Sequence, residues 1–266
     1  MAVTRRLALV TGASAGIGTA FAKLYAANGF DLAITARRAD RLDALAGELK
    51  AKHGVEVFPV VADLADASAP EAILKAIAER GRVVDVLVNN AGYGLPGEWA
   101  TTPWEDQAEA LRVMLTAPLE LSHRVLPGML GRGWGRVVNI ASLAGFTPGA
   151  ASHTTYPAVK AALIKFSQSL HAELRGTGVH CTAVCPGLTW SEFHDVNGTR
   201  EQLKTAPRWI WQSADRVAAI GYKAVEKNRT IVVTGWLNKI VAGLAKVTPD
   251  EIAAAVANGV ASRYRN

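Results

Sequence analysis

Tyr156 and Lys160, four residues apart, form the pair in this sequence best suited to proton transfer. Helical spacing places side chains at positions i and i+4 on one face, so the phenol and the ammonium would be neighbours. A free tyrosine titrates near pH ~10, but a nearby cation favours the phenolate and lowers that pKa. The pair therefore suits proton exchange with a carbonyl or alcohol oxygen. Tyrosine and lysine also occur at this spacing on ordinary surface helices, so the interpretation needs support from other motifs.

A glycine-rich segment near the N-terminus predicts a phosphate-binding loop. The apolar residues 7–10 are a strand candidate, and the helix-like residues 19–28 follow the glycines. Between them, Gly12 allows a tight turn, Gly16 lets backbone N–H groups approach a pyrophosphate, and Gly18 allows close helix packing. The helix N-terminus adds roughly half a positive charge. The spacing is Gly-x-x-x-Gly-x-Gly rather than Gly-x-Gly-x-x-Gly, and the alternative is a turn without a ligand.

Four motifs occur in an order that resembles the short-chain dehydrogenase/reductase family. They are the glycine loop at residues 11–18, the Asn-Asn-Ala-Gly run at residues 89–92, Ser142, and Tyr156-x-x-x-Lys160. Residues 185–189 also resemble the segment of that family that faces the nicotinamide, and residues 233–238 resemble a bacterial, DltE-like branch of it. The resemblance spans about residues 5–190 and implies an NAD(P)-dependent oxidoreductase.

The resemblance also implies roles for individual residues. Ser142 would hydrogen-bond the substrate oxygen, Tyr156 would be the general acid/base, and Lys160 would lower the pKa of the tyrosine and hold the cofactor ribose. Asp63 would hydrogen-bond the adenine ring, although an aspartate after a strand is also an ordinary helix cap. The predicted catalytic residues are Ser142, Tyr156 and Lys160; the predicted cofactor-binding residues are Gly12, Ser14, Ala15, Gly16, Ile17, Gly18, Arg37, Arg38, Asp63, Leu64, Asn90, Ala91, Gly92, Tyr156, Lys160, Pro186, Gly187 and Thr189; the predicted substrate-lining residues are Tyr93, Trp190 and Phe193.

The end of the second predicted strand favours NADP over NAD as the cofactor. Ala36 lies where a protein that binds NAD would need a carboxylate for the ribose hydroxyls. Arg37 follows at once, and its guanidinium is suited to bidentate recognition of a 2′-phosphate. The alternative is that Arg37 and Arg38 are solvated loop residues.

One residue departs from the family pattern. Met114 stands where the family normally carries an asparagine, which holds a water in a proton path from the lysine to solvent. A thioether accepts hydrogen bonds only weakly and donates none. The departure predicts lower turnover, or else a nicotinamide-nucleotide-binding regulatory or scaffold protein with weak or no catalysis. The alternatives are a slip in the alignment, or replacement of the asparagine by Thr116 or by water.

Composition and patterning predict a single α/β domain over residues 1–266. Half of the 266 residues are hydrophobic, enough for one continuous core. Apolar runs without polar alternation suit a parallel sheet with helices on both faces, that is, a Rossmann-like doubly wound fold. The predicted strands are residues 7–10, 32–35, 55–61, 83–88, 136–140, 179–184 and 230–233, with loops at residues 92–97 and 146–151.

The substrate is predicted only as a class. Residues 189–215 contain several tryptophans and are predicted to form a substrate lid, which favours an apolar or bulky ketone or secondary alcohol. The alternative is that the tryptophans simply pack this segment onto the body of the protein. Residues 234–266 would form a C-terminal extension, in which the mildly amphipathic residues 237–247 extend the lid, join a subunit interface or touch a membrane surface.

Pro157 limits where the catalytic helix can begin. Proline is tolerated only in the first turn of a helix, so the helix should begin between residues 152 and 156, with Thr154 or Thr155 as its cap. The apolar residues of this helix, together with the family resemblance, predict a homo-dimer or homo-tetramer; plain core packing is the alternative. These residues are Ala161, Ala162, Ile164, Phe166 and Leu170.

The remaining composition argues against several other partners. The net charge is +6, but the basic residues are dispersed, so no nucleic-acid partner is predicted. No run reaches the ~20 apolar residues of a membrane span, so we expect a cytoplasmic protein without stable membrane insertion. Cys181 and Cys185 fit neither metal nor redox spacing, so buried thiols and no metal site are predicted.

Overall fold

A computed structural model describes residues 5–95, 97–149, 154–192, 207–249 and 252. Seven parallel strands form the main sheet in the order β3-β2-β1-β4-β5-β6-β9, and β7 pairs with β8 in a small second sheet. The strands are β1 (Leu7–Thr11), β2 (Asp31–Ala36), β3 (Val57–Val61), β4 (Val86–Asn89), β5 (Gly135–Ile140), β6 (Val179–Cys185), β7 (Thr189–Trp190), β8 (Gln212–Ser213) and β9 (Ile231–Val233).

The helices are α1 (Gly16–Ala27), α2 (Ala39–His53), α3 (Ala69–Ala78), α4 (Trp104–Leu111), α5 (Ala117–Gly131), α6 (Thr155–Glu173), α7 (Ala214–Glu226) and α8 (Trp236–Leu244). One apolar cluster joins the sheet to α1, α2 and α7, and a second joins it to α3, α5 and α6. Helices therefore cover both faces of the sheet, and the predicted doubly wound fold is confirmed.

The strand positions follow the apolar runs of the sequence, and only β3 and β4 begin more than one residue from the predicted start. β4 begins at Val86 rather than residue 83, because Val83 is exposed and Asp85 makes the first contacts with β1. The Leu7 amide donates to the Asp85 carboxylate at 2.9 Å, and the Asp85 amide donates to the Leu7 carbonyl at 3.0 Å. β3 begins at Val57, two residues later than predicted.

A π-helical turn, Arg112–Thr116, joins α4 to α5. Pro118 lies in the first turn of α5 and has no N–H to donate to the Met114 carbonyl four residues earlier. The regular hydrogen-bond ladder is therefore interrupted at the residue that departs from the family pattern. This turn brings Met114 into the core, where its side chain is 1% exposed.

Helix α6, which carries Tyr156 and Lys160, begins at Thr155, within the predicted range. Thr154 occupies the N-cap position, but its side chain makes no capping hydrogen bond, so that part of the prediction is wrong. The Thr155 hydroxyl donates instead to Gln107 of α4. Ile164 and Leu170 are buried in the core of this chain, so packing within the chain accounts for them. The oligomeric state stays a prediction.

The two ends of the predicted lid are tied together by the small sheet, in which Thr189 pairs with Gln212 and Trp190 with Ser213. Residues 193–206 between them lie outside the described residues, and so does most of the extension after residue 249. In the part of the chain that is described, no helix is both long enough and apolar enough to cross a membrane. Cys181 and Cys185 are buried free thiols on β6, and burial raises the pKa of each to about 12.

Candidate active site

A cleft of about 740 Å³ lies at the carboxyl ends of the central strands. This edge includes the position where the strand order reverses between β1 and β4, which is where ligands bind in doubly wound sheets. The predicted site residues that line it are Gly12, Ser14, Ala15, Gly16, Ile17, Arg37, Arg38, Asp63, Leu64, Asn90, Ala91, Gly92, Tyr93, Ser142, Tyr156, Lys160, Pro186, Gly187 and Thr189.

The glycine loop has the geometry that its sequence predicts. Gly12 and Gly16 have φ angles of +64° and +55°, which side chains other than glycine rarely adopt. A Cβ added to Gly18 would lie 2.2 Å from the Gly12 carbonyl oxygen, so this glycine permits close packing between α1 and the loop. Gly18 supports the loop from behind and is not among the residues that line the cleft.

The two adjacent asparagines fix the end of β4 to its neighbours. The Asn89 amide donates to the Asn139 side-chain oxygen at 2.9 Å, which connects β4 to β5. The Asn90 side-chain amide donates to the Thr11 carbonyl at 2.9 Å, and its backbone N–H donates to the Thr11 hydroxyl at 2.9 Å. Asn90 thereby holds the strand end against the start of the glycine loop.

Ser142, Tyr156 and Lys160 meet on one wall of the cleft. Ser142 follows β5 and caps a short 3₁₀ turn, Leu143–Gly145, where its hydroxyl accepts from the Ala144 amide at 3.1 Å. The same hydroxyl is hydrogen-bonded to Tyr156 at the start of α6. One turn further along α6, the Lys160 ammonium lies 5.5 Å from the Tyr156 ring centroid. The three predicted catalytic side chains are therefore adjacent.

The protonation of this group differs from the expectation based on sequence. Burial raises the pKa of Tyr156 above its usual value, and the hydrogen bond with Ser142 opposes that shift. The Lys160 ammonium donates to the Ile140 carbonyl at 2.8 Å and is itself desolvated. Burial lowers the pKa of Lys160 to about 8.

Met114 lies near these predicted catalytic residues. A Cβ placed on Gly92 would lie 3.2 Å from the Met114 Cγ and 3.9 Å from the Lys160 Nζ, so the thioether and the ammonium both lie close to Gly92. Thr116, one alternative replacement for the family asparagine, is exposed on the outside of the helix. The apolar Met114 side chain therefore lies near Lys160, at a place where the family pattern predicts a polar asparagine.

Both predicted phosphate-binding arginines have carboxylate neighbours. Arg37 lies 3.8 Å from Asp63, and the two side chains are largely exposed. Arg38 donates to the Ser14 hydroxyl at 3.0 Å and to the Glu192 carboxylate at 2.9 Å. Arg41, on α2, forms a second ion pair with Glu192. Glu192 and Arg41 were missed by sequence reasoning, because 154 residues separate Glu192 from Arg38 and no local motif marks the contact.

The predicted substrate residues are only partly brought together. Tyr93 lines the cleft and donates its hydroxyl to Glu109 at 2.9 Å, and burial raises its pKa above the usual range. Trp190 does not line this cleft as predicted, because its ring stacks on Trp211 at 4.3 Å and faces a smaller cleft outside the glycine loop. Phe193 lies outside the described residues.

The extension contributes two cleft residues that sequence reasoning missed. Asn238, on α8, lies against Gly187, where an added Cβ would be 2.4 Å from the Asn238 Nδ2. That amide donates to the Thr234 carbonyl at 2.7 Å. Leu237 lines the cleft next to it. Their position just after β9 could have predicted them, because the carboxyl ends of parallel strands meet at the edge of the sheet where ligands bind.

The residues present fit a nicotinamide dinucleotide. The glycine loop lines the cleft with residues 14–17, Thr35 has a buried hydroxyl without a hydrogen-bond partner among the described residues, and two arginines lie beyond the end of β2. The Ser-Tyr-Lys group occupies the other part of the same cleft. This fold and site define the class of Rossmann-type nicotinamide-nucleotide oxidoreductases.

Comparison with known proteins gives the family. Residues 6–202 match the family described as short chain dehydrogenase. The chain is 34% identical over 247 residues to an uncharacterized oxidoreductase of Myxococcus xanthus, which covers 93% of this chain and 94% of that protein. The chain therefore belongs to the short-chain dehydrogenase/reductase family and is an oxidoreductase of that family. The matches do not single out the DltE-like branch, which stays a hypothesis.

Two solved structures show the same fold. A short-chain dehydrogenase from Sphingobium yanoikuyae in complex with NADPH has a TM-score of 0.79 and 29% identity, covering 92% of this chain and 96% of its own. The bulky-bulky ketone specific alcohol dehydrogenase from Comamonas testosteroni has a TM-score of 0.76 and 26% identity, covering 93% and 96%.

Proposed function

We propose that this protein is an NADP-dependent oxidoreductase that interconverts a ketone and a secondary alcohol, with Tyr156 as the general acid/base. The observation that carries the proposal is the hydrogen-bonded Ser142–Tyr156 pair, with Lys160 beside it, in the same cleft as the glycine loop. A substrate oxygen placed at the two hydroxyls would receive both a hydrogen bond and a proton, the two contacts that a developing alkoxide requires.

In the direction of carbonyl reduction, the protonated Tyr156 donates its proton to the substrate oxygen while Ser142 stabilises the charge on that oxygen. The raised pKa of Tyr156 keeps this residue protonated at neutral pH, as an acid must be. The nicotinamide, when bound, supplies or accepts the hydride. Lys160 places a positive charge near the phenolate that remains, which favours the transfer. Alcohol oxidation uses the same groups in reverse.

The choice of NADP rests on the residues after β2. No carboxylate follows Thr35 on β2 to bind ribose hydroxyls, and the cleft is lined there by Ala36, Arg37 and Arg38. Guanidinium groups suit a 2′-phosphate. The relative from Sphingobium yanoikuyae was solved with NADPH, which supports the same choice.

The substrate proposed is an apolar or bulky ketone or secondary alcohol. Apolar side chains line parts of the cleft, among them Leu143, Leu188, Ile210 and Leu237. These walls favour apolar substituents on the substrate. The likeness to the bulky-bulky ketone specific enzyme of Comamonas testosteroni supports this class. The proposal also keeps a homo-dimer or homo-tetramer and a cytoplasmic location.

A second candidate function follows from Met114. An apolar side chain near Lys160 favours slow reprotonation of Tyr156, because a thioether cannot donate a hydrogen bond to a proton path. In the extreme case the protein would bind the nucleotide with weak or no catalysis. The two candidates share the cofactor site and differ in turnover alone.

The deciding experiment follows the absorbance of the reduced nicotinamide with a panel of hydrophobic ketones and alcohols. The enzyme function predicts turnover that falls by at least ~10²-fold in Tyr156→Phe, since general acid–base steps contribute about that much. Binding of the cofactor without turnover across the panel, unchanged in Tyr156→Phe, would support the second candidate. Titrations with NADPH and NADH test the cofactor: we expect tighter binding of NADPH, and loss of that preference in Arg37→Ala or Arg38→Ala.

A further inference from the structure

The two residues after β7, Ser191 and Glu192, connect the glycine loop with the residues that follow β2. Ser191 lies on Gly16, where an added Cβ would be 2.8 Å from the Ser191 Cβ. The next residue, Glu192, reaches the arginines at the end of β2 and the start of α2. The segment therefore joins the phosphate loop to the basic residues that follow β2.

Arg38 is shared between the cofactor cleft and this segment. Its Nε and Nη2 donate to the Ser14 hydroxyl at 3.3 and 3.0 Å, and its Nη1 donates to the Glu192 carboxylate at 2.9 Å. Arg38 and Glu192 both line the cleft, whereas Arg41, the second partner of Glu192, is not among the lining residues. Glu192 therefore links one arginine inside the cleft to one outside it.

The ionised state of Glu192 is favoured by the same contacts. Hydrogen bonds from Arg41 and Arg38 lower the pKa of its carboxyl group, so it carries a full negative charge at neutral pH. A negative charge at this place is unfavourable for a 2′-phosphate that Arg38 would bind together with Arg37, because like charges repel and both anions need the donors of Arg38. NAD carries no phosphate there and does not meet this competition.

We propose that Glu192 sets the selectivity of this protein between NADP and NAD by competing with the 2′-phosphate for Arg38. The proposal rests on the proposed function, since it assumes a nicotinamide dinucleotide in the cleft. Glu192 weakens the binding of NADP relative to NAD, and Arg41 retains an ion pair with Glu192 when Arg38 turns to the phosphate. Glu192 acts through Arg38 and is a positioning residue, not a catalytic one.

The test is a pair of equilibrium titrations, with NADPH and with NADH, on the wild type and on Glu192→Gln. The Arg38 and Glu192 side chains are each 41% exposed, so solvent screens their ion pair. The expected change in NADPH affinity is therefore modest. We expect NADPH to bind about fivefold more tightly to Glu192→Gln, the order of magnitude of a surface ion pair, while NADH affinity is unchanged. Glu192→Asp, which retains the charge, should restore much of the wild-type ratio.

Two controls separate competition from a general change in charge. On α5, Glu120 forms an ion pair with Arg124 at 2.8 Å. Glu120→Gln removes this carboxylate and should leave the affinities for NADPH and NADH unchanged. In an Arg38→Ala background, Glu192→Gln should no longer improve NADPH binding, because the group for which it competes is absent.

The outcomes are distinguishable from those that test the proposed function. If the wild type binds neither nucleotide, the proposed function itself fails. If NADPH binds but the ratio of the two affinities is the same in the wild type and Glu192→Gln, the role of Glu192 is overturned and the proposed function remains. Weaker binding of NADPH to Glu192→Gln would overturn it as well, because Glu192 would then assist the phosphate.

Discussion

The Nζ of Lys160 lies 2.8 Å from the carbonyl oxygen of Ile140, the last residue of β5, so this cation in the cleft is held by the sheet. The Lys160 side chain is almost fully buried, and burial lowers its pKa from 10.5 to about 8. A single neutral hydrogen bond of this kind does not replace the water that a buried ammonium loses. The charged form is therefore retained at a cost in stability.

That cost predicts how stability depends on pH. The unfolded chain binds the Lys160 proton up to a pH near 10.5, whereas the folded chain releases it near 8, so the contribution of Lys160 to stability rises with pH between these values. Across this window the unfolding free energy of the wild type should therefore rise relative to that of Lys160→Met, by on the order of 2 kcal/mol.

Urea denaturation of both proteins at several pH values checks this prediction. Lys165→Met is the matched control, because Lys165 is exposed on the same helix and its removal should leave the pH dependence unchanged. A difference between the wild type and Lys160→Met that stays constant between pH ~7 and ~10 would contradict a buried ammonium at this position.

The second prediction concerns the protonation of Tyr156. Burial raises the pKa of Tyr156, so in the ligand-free protein the phenolate should form only above pH ~10. An ultraviolet difference titration of the wild type against Tyr156→Phe measures this step. Ser142→Ala should move it to still higher pH, because the hydrogen bond with Ser142 lowers the pKa of Tyr156. A phenolate signal between pH ~7 and ~9 would show instead that Lys160 controls the tyrosine, as the sequence suggested.

The parts of the fold that sequence could predict are those encoded locally. Apolar runs mark strands that are buried on both faces, and Gly12, Gly16 and Gly18 mark a loop whose backbone geometry excludes other residues. The four-residue spacing of Tyr156 and Lys160 needs only a helix to bring the two side chains to one wall. These inferences require no knowledge of the distant chain.

The parts that sequence could not predict depend on contacts between distant segments. The pKa of Tyr156 follows from how deeply α6 is packed, and the partner of Arg38 comes from Glu192, 154 residues away. Trp190 was expected in the cleft because it is aromatic and close to Gly187 in sequence. The pairing of β7 with β8 places it against Trp211 instead.

The third prediction tests the departure at Met114. Replacing this buried thioether by asparagine, in Met114→Asn, would put hydrogen-bonding groups beside Gly92 and Lys160. Turnover should rise by up to ~10-fold if proton refilling limits the wild type, since acid–base steps contribute typically ~10²–10⁴-fold in all. Stability should fall by about 1–3 kcal/mol, because a polar amide replaces an apolar side chain in the core.

Steady-state kinetics and thermal unfolding of Met114→Asn provide the two measurements, and Met114→Leu is the control. Leucine is apolar and similar in volume, so it should leave turnover unchanged and cost less than ~1.5 kcal/mol. An active wild type that gains no rate from asparagine would rule out an impaired proton relay.

The fourth prediction compares two glycines that differ in their surroundings. In Gly18→Ala, the new Cβ would lie 2.2 Å from the Gly12 carbonyl oxygen and 2.5 Å from the Asn90 side-chain amide, so α1 must move away from the loop. We expect a loss of ~1–3 kcal/mol in stability and at least ~10-fold weaker cofactor binding, because the same movement misplaces the N–H groups of the loop.

In Gly47→Ala, the Cβ meets no described atom within 4 Å on the exposed side of α2. That substitution should stabilise the protein by ~0.5–1 kcal/mol, since alanine favours a helix, and should leave cofactor binding unchanged. Equal effects of the two substitutions in denaturation and NADPH titration would show that close packing at Gly18 does not shape the phosphate loop.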